Sequence, residues 1–444
     1  MTKRNLTMAG TMAAAILLFY GMLVREAVNM PFLDDYGGVL GFISDWSRID
    51  SVAGKAISIF TSQHNEYKLM FANAVYALQY LISGRVDFIV LSIFGNLLLL
   101  PLFFVIYRMW MDDTRVVQEK LLLFLPVPWL LFQLQYYSLL NWPMSSLQHI
   151  AVVVFSLLSI YLLSKNESKT FYISVVSLLL AISASGNGFF VIPIGCLMLL
   201  QFRRWGRLLL WLGGSASMLA VYLYKYDYHQ SQAHADHSIV SSLFHLSPFY
   251  AFSFLGASIA RYQSWGPAAV LGASLCLVFV YSAVDKLYAR SPAIFYSMCF
   301  ILVTSLAVSG LRSDFGITQS LVSRYRIYSN LLLIFIYLYA IGKVSGRLRS
   351  RHVQLTLAAI IAIATIGFNA ASNYAGFKLL KNRTDLTTEG MRRWEHGEHS
   401  TRVDSGPMSE DPVIQRQREN GNYEPQDQYL REAIYLHLYK PPVL

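Results

Sequence analysis

MAGTMAAAILLFYGMLVREAVNMPFLDDYGG, residues 8–38, decides the fold, because an apolar stretch leads directly to the acidic pair Asp34-Asp35. The stretch from Met8 to Val24 is long enough to cross a bilayer, which takes about 17–25 residues. Lys3-Arg4 precede it, and cytoplasmic segments collect basic residues, so the N-terminus is predicted to be cytoplasmic. The acidic pair then lies at the outer edge of the membrane. Ionisable residues there are functional candidates, and the alternative is a pair of solvated loop acids.

The composition indicates a membrane protein throughout. Hydrophobic residues make up 55% of the 444 residues and charged residues 14%, with mean hydropathy +0.42, which excludes an ordinary soluble domain. We predict an all-α polytopic membrane protein with about 11 transmembrane helices. The predicted spans are 8–24, 86–107, 121–139, 145–163, 170–185, 187–201, 208–224, 266–284, 292–311, 327–342 and 353–372. The net charge of +10 follows from basic cytoplasmic loops, so the predicted partner is the lipid bilayer and not nucleic acid.

The first loop, 26–85, is predicted to stay on the outer side. Apolar residues from Ile49 to Phe60 recur with helical spacing, the pattern of an amphipathic helix in the membrane interface. Glu66–Ser83 is long enough to span, but a span there would move every later basic loop outside. Because this contradicts the positive-inside rule, we predict a further juxtamembrane helix. The C-terminus is then extracytoplasmic, and the chain divides into a membrane domain, 1–372, and a small tail, 373–444.

Four short motifs share one order along the chain. They are Phe32-Leu33-Asp34-Asp35-Tyr36, Gln63-His64-Asn65-Glu66-Tyr67-Lys68, Asn187-Gly188 and Ser323-Arg324-Tyr325. With the predicted topology, they resemble GT-C glycosyltransferases, the polyprenyl-phosphate-sugar-dependent enzymes that include protein mannosyltransferases and lipid A aminoarabinose transferases. The resemblance is closer to a bacterial GT-C-like family whose second motif usually reads Gln-His-Asn-Glu-His-Arg. Tyr67 and Lys68 depart from that motif.

The resemblance implies a sugar transfer at the bacterial inner membrane. A polyprenyl-phosphate sugar would be the donor, and an envelope glycan or glycolipid on the periplasmic face, such as a lipopolysaccharide, would be the acceptor. Such a transfer needs a carboxylate to take the proton of the acceptor hydroxyl. Asp34 or Asp35 is the predicted general base, in a single displacement that inverts the sugar. Adjacent side chains diverge, so one of the two faces the cavity and the other orients it or holds a helix end.

The leaving lipid phosphate needs cationic donors on the same face. Arg324 and Arg326 are the predicted phosphate-binding residues, and anchoring of the helix end by snorkelling is the alternative. Lys68 and Arg85 are secondary candidates. The predicted substrate-binding residues are His64, Glu66, Lys68, Asn141, Trp142 and Gln148. For His64 and Glu66 the alternative is helix capping, and for Trp142 it is a place in the aromatic belt.

No cofactor or metal is predicted. His229, His234, His237 and His245 lie near Asp227 and Asp236, but their spacing matches no zinc site. Two other functions stay open. A transporter or flippase of lipid-linked glycans would distribute ionisable residues through the spans, whereas a polymerase or ligase would depend on outer-face arginines more than on an acidic pair.

Overall fold

A computed structural model describes residues 3–114, 119–227, 246–260, 264–345, 351–396 and 426–442. Its regular elements there are all helices, and no strand is found in these ranges. The helices of eight or more residues are Lys3–Glu26, Val52–Thr61, Met70–Ser83, Phe88–Leu97, Leu99–Met111, Pro143–Ser164, Ser168–Ala184, Val191–Gln201, Trp205–Leu223, Pro248–Leu255, Trp265–Val284, Pro292–Arg312, Arg326–Ser345, Arg351–Glu395 and Gln426–Tyr435.

Within the described residues, nine helical segments are long and apolar enough to cross a membrane. Two shorter apolar helices, Ser168–Ala184 and Gly186–Gln201, fall where the sequence predicts the short spans 170–185 and 187–201. The lipid-facing surface is apolar, as Leu209, Leu277 and Ile363 are each more than 70% exposed. The prediction of an all-α polytopic membrane protein is confirmed.

One predicted span, 121–139, is a chain of short helical pieces. Prolines begin the piece Pro126–Leu131, and the backbone then bends through Phe132 and Gln133. Carbonyl groups freed by such a bend must find donors inside a membrane protein. Asn369 of the helix Arg351–Glu395 supplies them, because its amide donates to the carbonyls of Trp129 at 2.8 Å and Phe132 at 3.0 Å. The bend carries the chain to Asn141 and Trp142, which border the site.

The first loop forms a compact helical layer. A π-helical turn, Tyr36–Gly41, leads into the helix Phe42–Ser47, and two amphipathic helices follow. Val52–Thr61 has no buried residue, and Val52 is 84% exposed, as expected of a helix that lies in the interface. Met70–Ser83 has 14 residues and is about 21 Å long. That is shorter than the hydrocarbon core of about 30 Å, in agreement with a juxtamembrane helix.

The helix Arg351–Glu395 reaches beyond the bundle. Its 45 residues extend over about 68 Å, more than twice the apolar thickness of a bilayer. The predicted boundary at 372/373 falls inside this continuous helix, so the part after 372 brings the predicted tail onto the first loop. The helix Gln426–Tyr435 completes the layer: Leu430 and Ala433 are fully buried in an apolar cluster that includes Tyr36 and Leu40.

Candidate active site

The acidic pair occupies a tight bend at the edge of the bundle. Leu33 adopts a left-handed conformation (φ 47°) and turns the chain so that the two carboxylates point to different surroundings. Asp35 is fully buried. Its Oδ2 accepts from the backbone N–H of Phe32 at 3.1 Å, and its Oδ1 accepts from that of Met144 at 3.0 Å. Asp35 therefore fastens the first loop to the start of the helix Pro143–Ser164.

Burial also sets the protonation of Asp35. Desolvation raises the pKa of this carboxyl well above its ordinary range, against the opposing effect of the two backbone N–H groups. Asp34 is different, because its side chain is 46% exposed. The two members of the pair thus divide into a buried structural group and an open one.

His64 lies beside the open carboxylate. Its Nε2 is 3.9 Å from Oδ1 of Asp34. Gly37 permits this approach, because a Cβ there would lie 3.1 Å from Cε1 of His64. The second motif thus lies against the first through these two side chains.

The rest of the second motif is bound within the protein. Gln63 exchanges two hydrogen bonds with the backbone of Asp227, each at 2.9 Å. Glu66 forms an ion pair with Arg312, and the fully buried Lys68 donates from Nζ to the carbonyl of Tyr224. Burial lowers the pKa of Lys68. The structure therefore brings His64 to the acidic pair, whereas Glu66 and Lys68 use their charges to hold the loop to other helices.

Trp142 lies at the centre of the site. Its ring packs edge-on against Phe32, with centroids 5.7 Å apart. Two guanidinium groups contact the same indole: that of Arg324 at 5.7 Å and that of Arg383 at 5.6 Å from the ring centroid. Arg383 also stacks on Phe32, whose ring centroid is 3.3 Å from Cζ. Phe32 is three residues from Asp35, so this aromatic and cationic cluster is continuous with the acidic pair.

Arg383 was not among the residues predicted from sequence. It is 5% exposed and belongs to the part of the helix Arg351–Glu395 that follows residue 372. Its neighbour Thr384 accepts from the amide of Asn141 at 3.4 Å and donates to the carbonyl of Glu26 at 3.2 Å. Arg383 falls in the segment predicted to be the tail, 373–444, where a charged side chain is expected to be exposed. The only sequence signal is that the helical pattern continues past residue 372.

The other predicted residues fall into two groups, those hydrogen-bonded within the protein and those with a polar atom that has no partner among the residues described. Gln148 donates to the hydroxyl of Ser185 at 3.3 Å, at the Gly-Asn-Gly bend. Arg326 donates from Nε to the carbonyl of Leu321 at 3.2 Å, a bond that caps a local turn. In contrast, Asn141 Oδ1 and Trp142 Nε1 are buried and have no hydrogen-bond partner among the residues described. Polar atoms of this kind are where a ligand or water would bind.

The predicted absence of a metal is not tested at the histidine-rich loop, because His229, His234, His237 and His245 lie outside the described residues. Among the residues that the structure describes, no group of three histidine, cysteine or acidic side chains could hold a metal ion.

Comparisons with known proteins give a likeness to a solved structure. No protein-family model matches the chain, and no curated protein matches it. A solved structure of the Archaeoglobus fulgidus oligosaccharyltransferase, tethered to an acceptor peptide with the NVT sequon, aligns with a TM-score of 0.42 at 13% sequence identity. The alignment covers 86% of this chain and 57% of that one, so the chain spans less than two thirds of the archaeal protein. The function of the chain is therefore argued from the geometry of its site.

Proposed function

We propose that the protein is a membrane glycosyltransferase of the GT-C type. It transfers a sugar from a polyprenyl-phosphate carrier to an envelope glycan or glycolipid acceptor. The observation that carries this proposal is that a half-exposed carboxylate, Asp34, lies in the same tight loop as Phe32, whose ring packs on Trp142, an indole with two guanidinium groups around it. A base, an aromatic platform and cations for a phosphate are the groups that such a transfer uses.

We assign the general base to Asp34. Its side chain is 46% exposed, whereas that of Asp35 is fully buried and accepts from the backbone N–H groups of Phe32 and Met144. The hydroxyl of the acceptor gives its proton to Asp34 as its oxygen attacks the anomeric carbon. The bond from that carbon to the phosphate oxygen breaks at the same time, and the configuration inverts. His64 lies beside this carboxylate, with its Nε2 3.9 Å from Oδ1.

Of the two predicted phosphate-binding residues, Arg324 and Arg326, we assign the role to Arg324. Its guanidinium group is at the indole of Trp142, whereas Arg326 is engaged with a backbone carbonyl. Asn141 and Trp142 offer unpaired polar atoms to sugar hydroxyls. Glu66 and Lys68 shape the loop around them.

We further infer that the first loop faces the periplasm of a bacterial inner membrane. The opposite ends of the helices carry ion pairs with basic partners, Lys165 with Asp112 and Lys343 with Asp285. Basic groups collect on the cytoplasmic side. The N-terminus would then be cytoplasmic.

The test is a comparison of surface glycans in cells that carry the wild type, Asp34→Asn, Asp35→Asn or Asp50→Asn at matched amounts in the membrane. Loss of a general base typically lowers the rate by about 10²–10⁴-fold, so Asp34→Asn should abolish detectable transfer. Asp35→Asn should lower the amount of folded protein. Asp50, an exposed acid of the same loop, is the control. Full glycosylation with Asp34→Asn would show that the assigned base is wrong.

A polymerase or ligase of lipid-linked glycans is the second candidate, because two arginines, Arg324 and Arg383, share the indole of Trp142. Such an enzyme would depend on these cations more than on the acid. Loss of function in Arg324→Gln together with normal function in Asp34→Asn would favour it.

A further inference from the structure

Arg383 is a buried cation whose hydrogen bonds are unused. All three of its guanidinium nitrogens, Nε, Nη1 and Nη2, are buried and lack a hydrogen-bond partner in the described part of the chain. An arginine carries five N–H donors and remains charged in proteins. Burying such a group without partners costs several kcal/mol, so buried charges are normally paired.

Asp35 is a carboxylate in the neighbourhood of this charge. It is close enough to influence Arg383 electrostatically. Both of its oxygens, however, already accept from backbone N–H groups, of Phe32 and Met144. Asp35 therefore accepts no hydrogen bond from the guanidinium group of Arg383.

The surroundings hold Arg383 in one orientation. Its guanidinium group lies over the ring of Phe32, with Cζ 3.3 Å from the ring centroid, and Cζ is 5.6 Å from the ring centroid of Trp142. Arg324 approaches the same indole, so two positive groups converge on one aromatic side chain. Like charges brought together in a mostly buried place repel each other unless an anion lies between them.

We propose that Arg383, together with Arg324, forms a site for the phosphate group of a polyprenyl-phosphate lipid. Fork-shaped donors match two oxygens of a phosphate, and two guanidinium groups match its charge better than one. The identity of the lipid rests on the proposed function, but the phosphate site itself does not.

The site has a consequence for the transfer step. The donor is a phosphodiester with one negative charge. When the anomeric carbon–oxygen bond breaks, its electron pair stays on the phosphate oxygen, and the leaving polyprenyl phosphate becomes a monoester with a second negative charge. The proton of the acceptor goes to Asp34. Arg383 therefore interacts more strongly with the leaving group than with the donor, and interactions that strengthen in the transition state accelerate a reaction.

The experiment measures lipid binding without any sugar transfer. The full chain is purified in nanodiscs and titrated with undecaprenyl phosphate, and undecaprenol, inorganic phosphate and phosphatidylglycerol serve as competitors. Four proteins are compared: the wild type, Arg383→Gln, Arg383→Lys and Arg393→Gln. Arg393 lies on the same helix with a side chain that is 56% exposed, so its variant is the matched control for loss of charge.

We expect Arg383→Gln to bind undecaprenyl phosphate roughly 10- to 100-fold more weakly than the wild type, since hydrogen bonds to charged groups are strong. Arg393→Gln should bind as the wild type does, and undecaprenol should not compete. Arg383→Lys keeps the buried charge but loses the fork, so it should bind with intermediate strength. If Arg383→Gln does not fold, this lysine variant decides the question.

Wild-type affinity in a folded Arg383→Gln or Arg383→Lys protein would overturn the proposal. Equal competition by phosphatidylglycerol would overturn it too, because the site would then bind any anionic lipid. Equal competition by inorganic phosphate would overturn the assignment to a lipid. If binding depends on Arg383 but no sugar is transferred from any polyprenyl-phosphate donor, the phosphate site stands and the proposed glycosyltransferase activity fails.

Discussion

The ion pair between Glu66 and Arg312 should stabilise the fold, and its strength can be measured. Glu66 belongs to the second motif, and Arg312 ends the helix Pro292–Arg312. Arg312 also donates to the hydroxyl of Tyr67 at 3.4 Å. The pair thus joins the first loop to a helix that follows it by more than 200 residues.

The expected magnitude follows from burial. Both side chains are 25% exposed. Fully exposed pairs contribute about 0–1 kcal/mol, and breaking a fully buried pair costs about 3–5 kcal/mol. For this pair we expect either Glu66→Gln or Arg312→Met to lower the free energy of unfolding by about 1–3 kcal/mol. The double variant should lose less than the sum, with a coupling energy of about 1–2 kcal/mol.

The assay is reversible unfolding of the purified protein in mixed dodecyl maltoside and SDS micelles, applied to all four members of the double-mutant cycle. The pair Glu389–Arg393, with side chains that are 49% and 56% exposed, provides a control cycle whose coupling should be near zero. A coupling below about 0.5 kcal/mol for Glu66 and Arg312, with sugar transfer lost in a fully stable Glu66→Gln protein, would refute this reasoning. Glu66 would then act on the substrate, as the sequence predicts.

Three further predictions concern stability, each measured in the same unfolding assay. Because burial raises the pKa of Asp35, the stabilising contribution of this carboxyl is full below about pH 4 and is lost as the pH rises through the raised value. Relative to Asp35→Asn, the wild type should therefore lose stability as the pH rises above about 4. Gly272→Ala should lower the free energy of unfolding by about 1–3 kcal/mol, because the new Cβ would lie 1.9 Å from the carbonyl oxygen of Phe252. Gly213→Ala should not destabilise the protein, because a Cβ there would have no atom within 4 Å. Leu430→Ala should lower the free energy of unfolding by about 2–5 kcal/mol, because this side chain is fully buried. Tyr435→Ala is the control, since Tyr435 is 82% exposed. If Leu430→Ala destabilises the protein no more than Tyr435→Ala does, the helix Gln426–Tyr435 is not bound to the first loop.

Much of the architecture could be predicted because it depends on local composition. Apolar runs locate the spans, and the positive-inside rule separates the 14-residue helix Met70–Ser83 from them. The bend near Phe132 was not predicted, because it depends on Asn369, whose amide satisfies the bent backbone from more than 230 residues away. A contact of that kind leaves no periodic signal in either segment.

The candidate site was predicted only in part, because its assembly also depends on contacts between distant parts of the chain. Sequence placed Asp34 and Asp35 together but left their roles open, since adjacency alone does not show which carboxylate accepts the N–H of Met144. The structure distinguishes them by burial, and their chemical roles stay a prediction. Arg383 was missed because its burial depends on Phe32 and Trp142, which belong to distant parts of the chain.

The layer over the acidic pair has a consequence for biosynthesis. The hydroxyl of Tyr439 donates to the carbonyl of Asn29 at 2.7 Å, and the N–H of Val86 donates to the carbonyl of Leu438 at 2.7 Å. At about 5–20 residues per second, a ribosome needs roughly 20–80 s to pass from the acidic loop to these residues. For that time the loop lacks both Arg383 and its covering helix. The acidic pair is made among the first parts of the protein and its surroundings are completed among the last, so a nascent chain already inserted in the membrane lacks the assembled site until its translation is nearly finished.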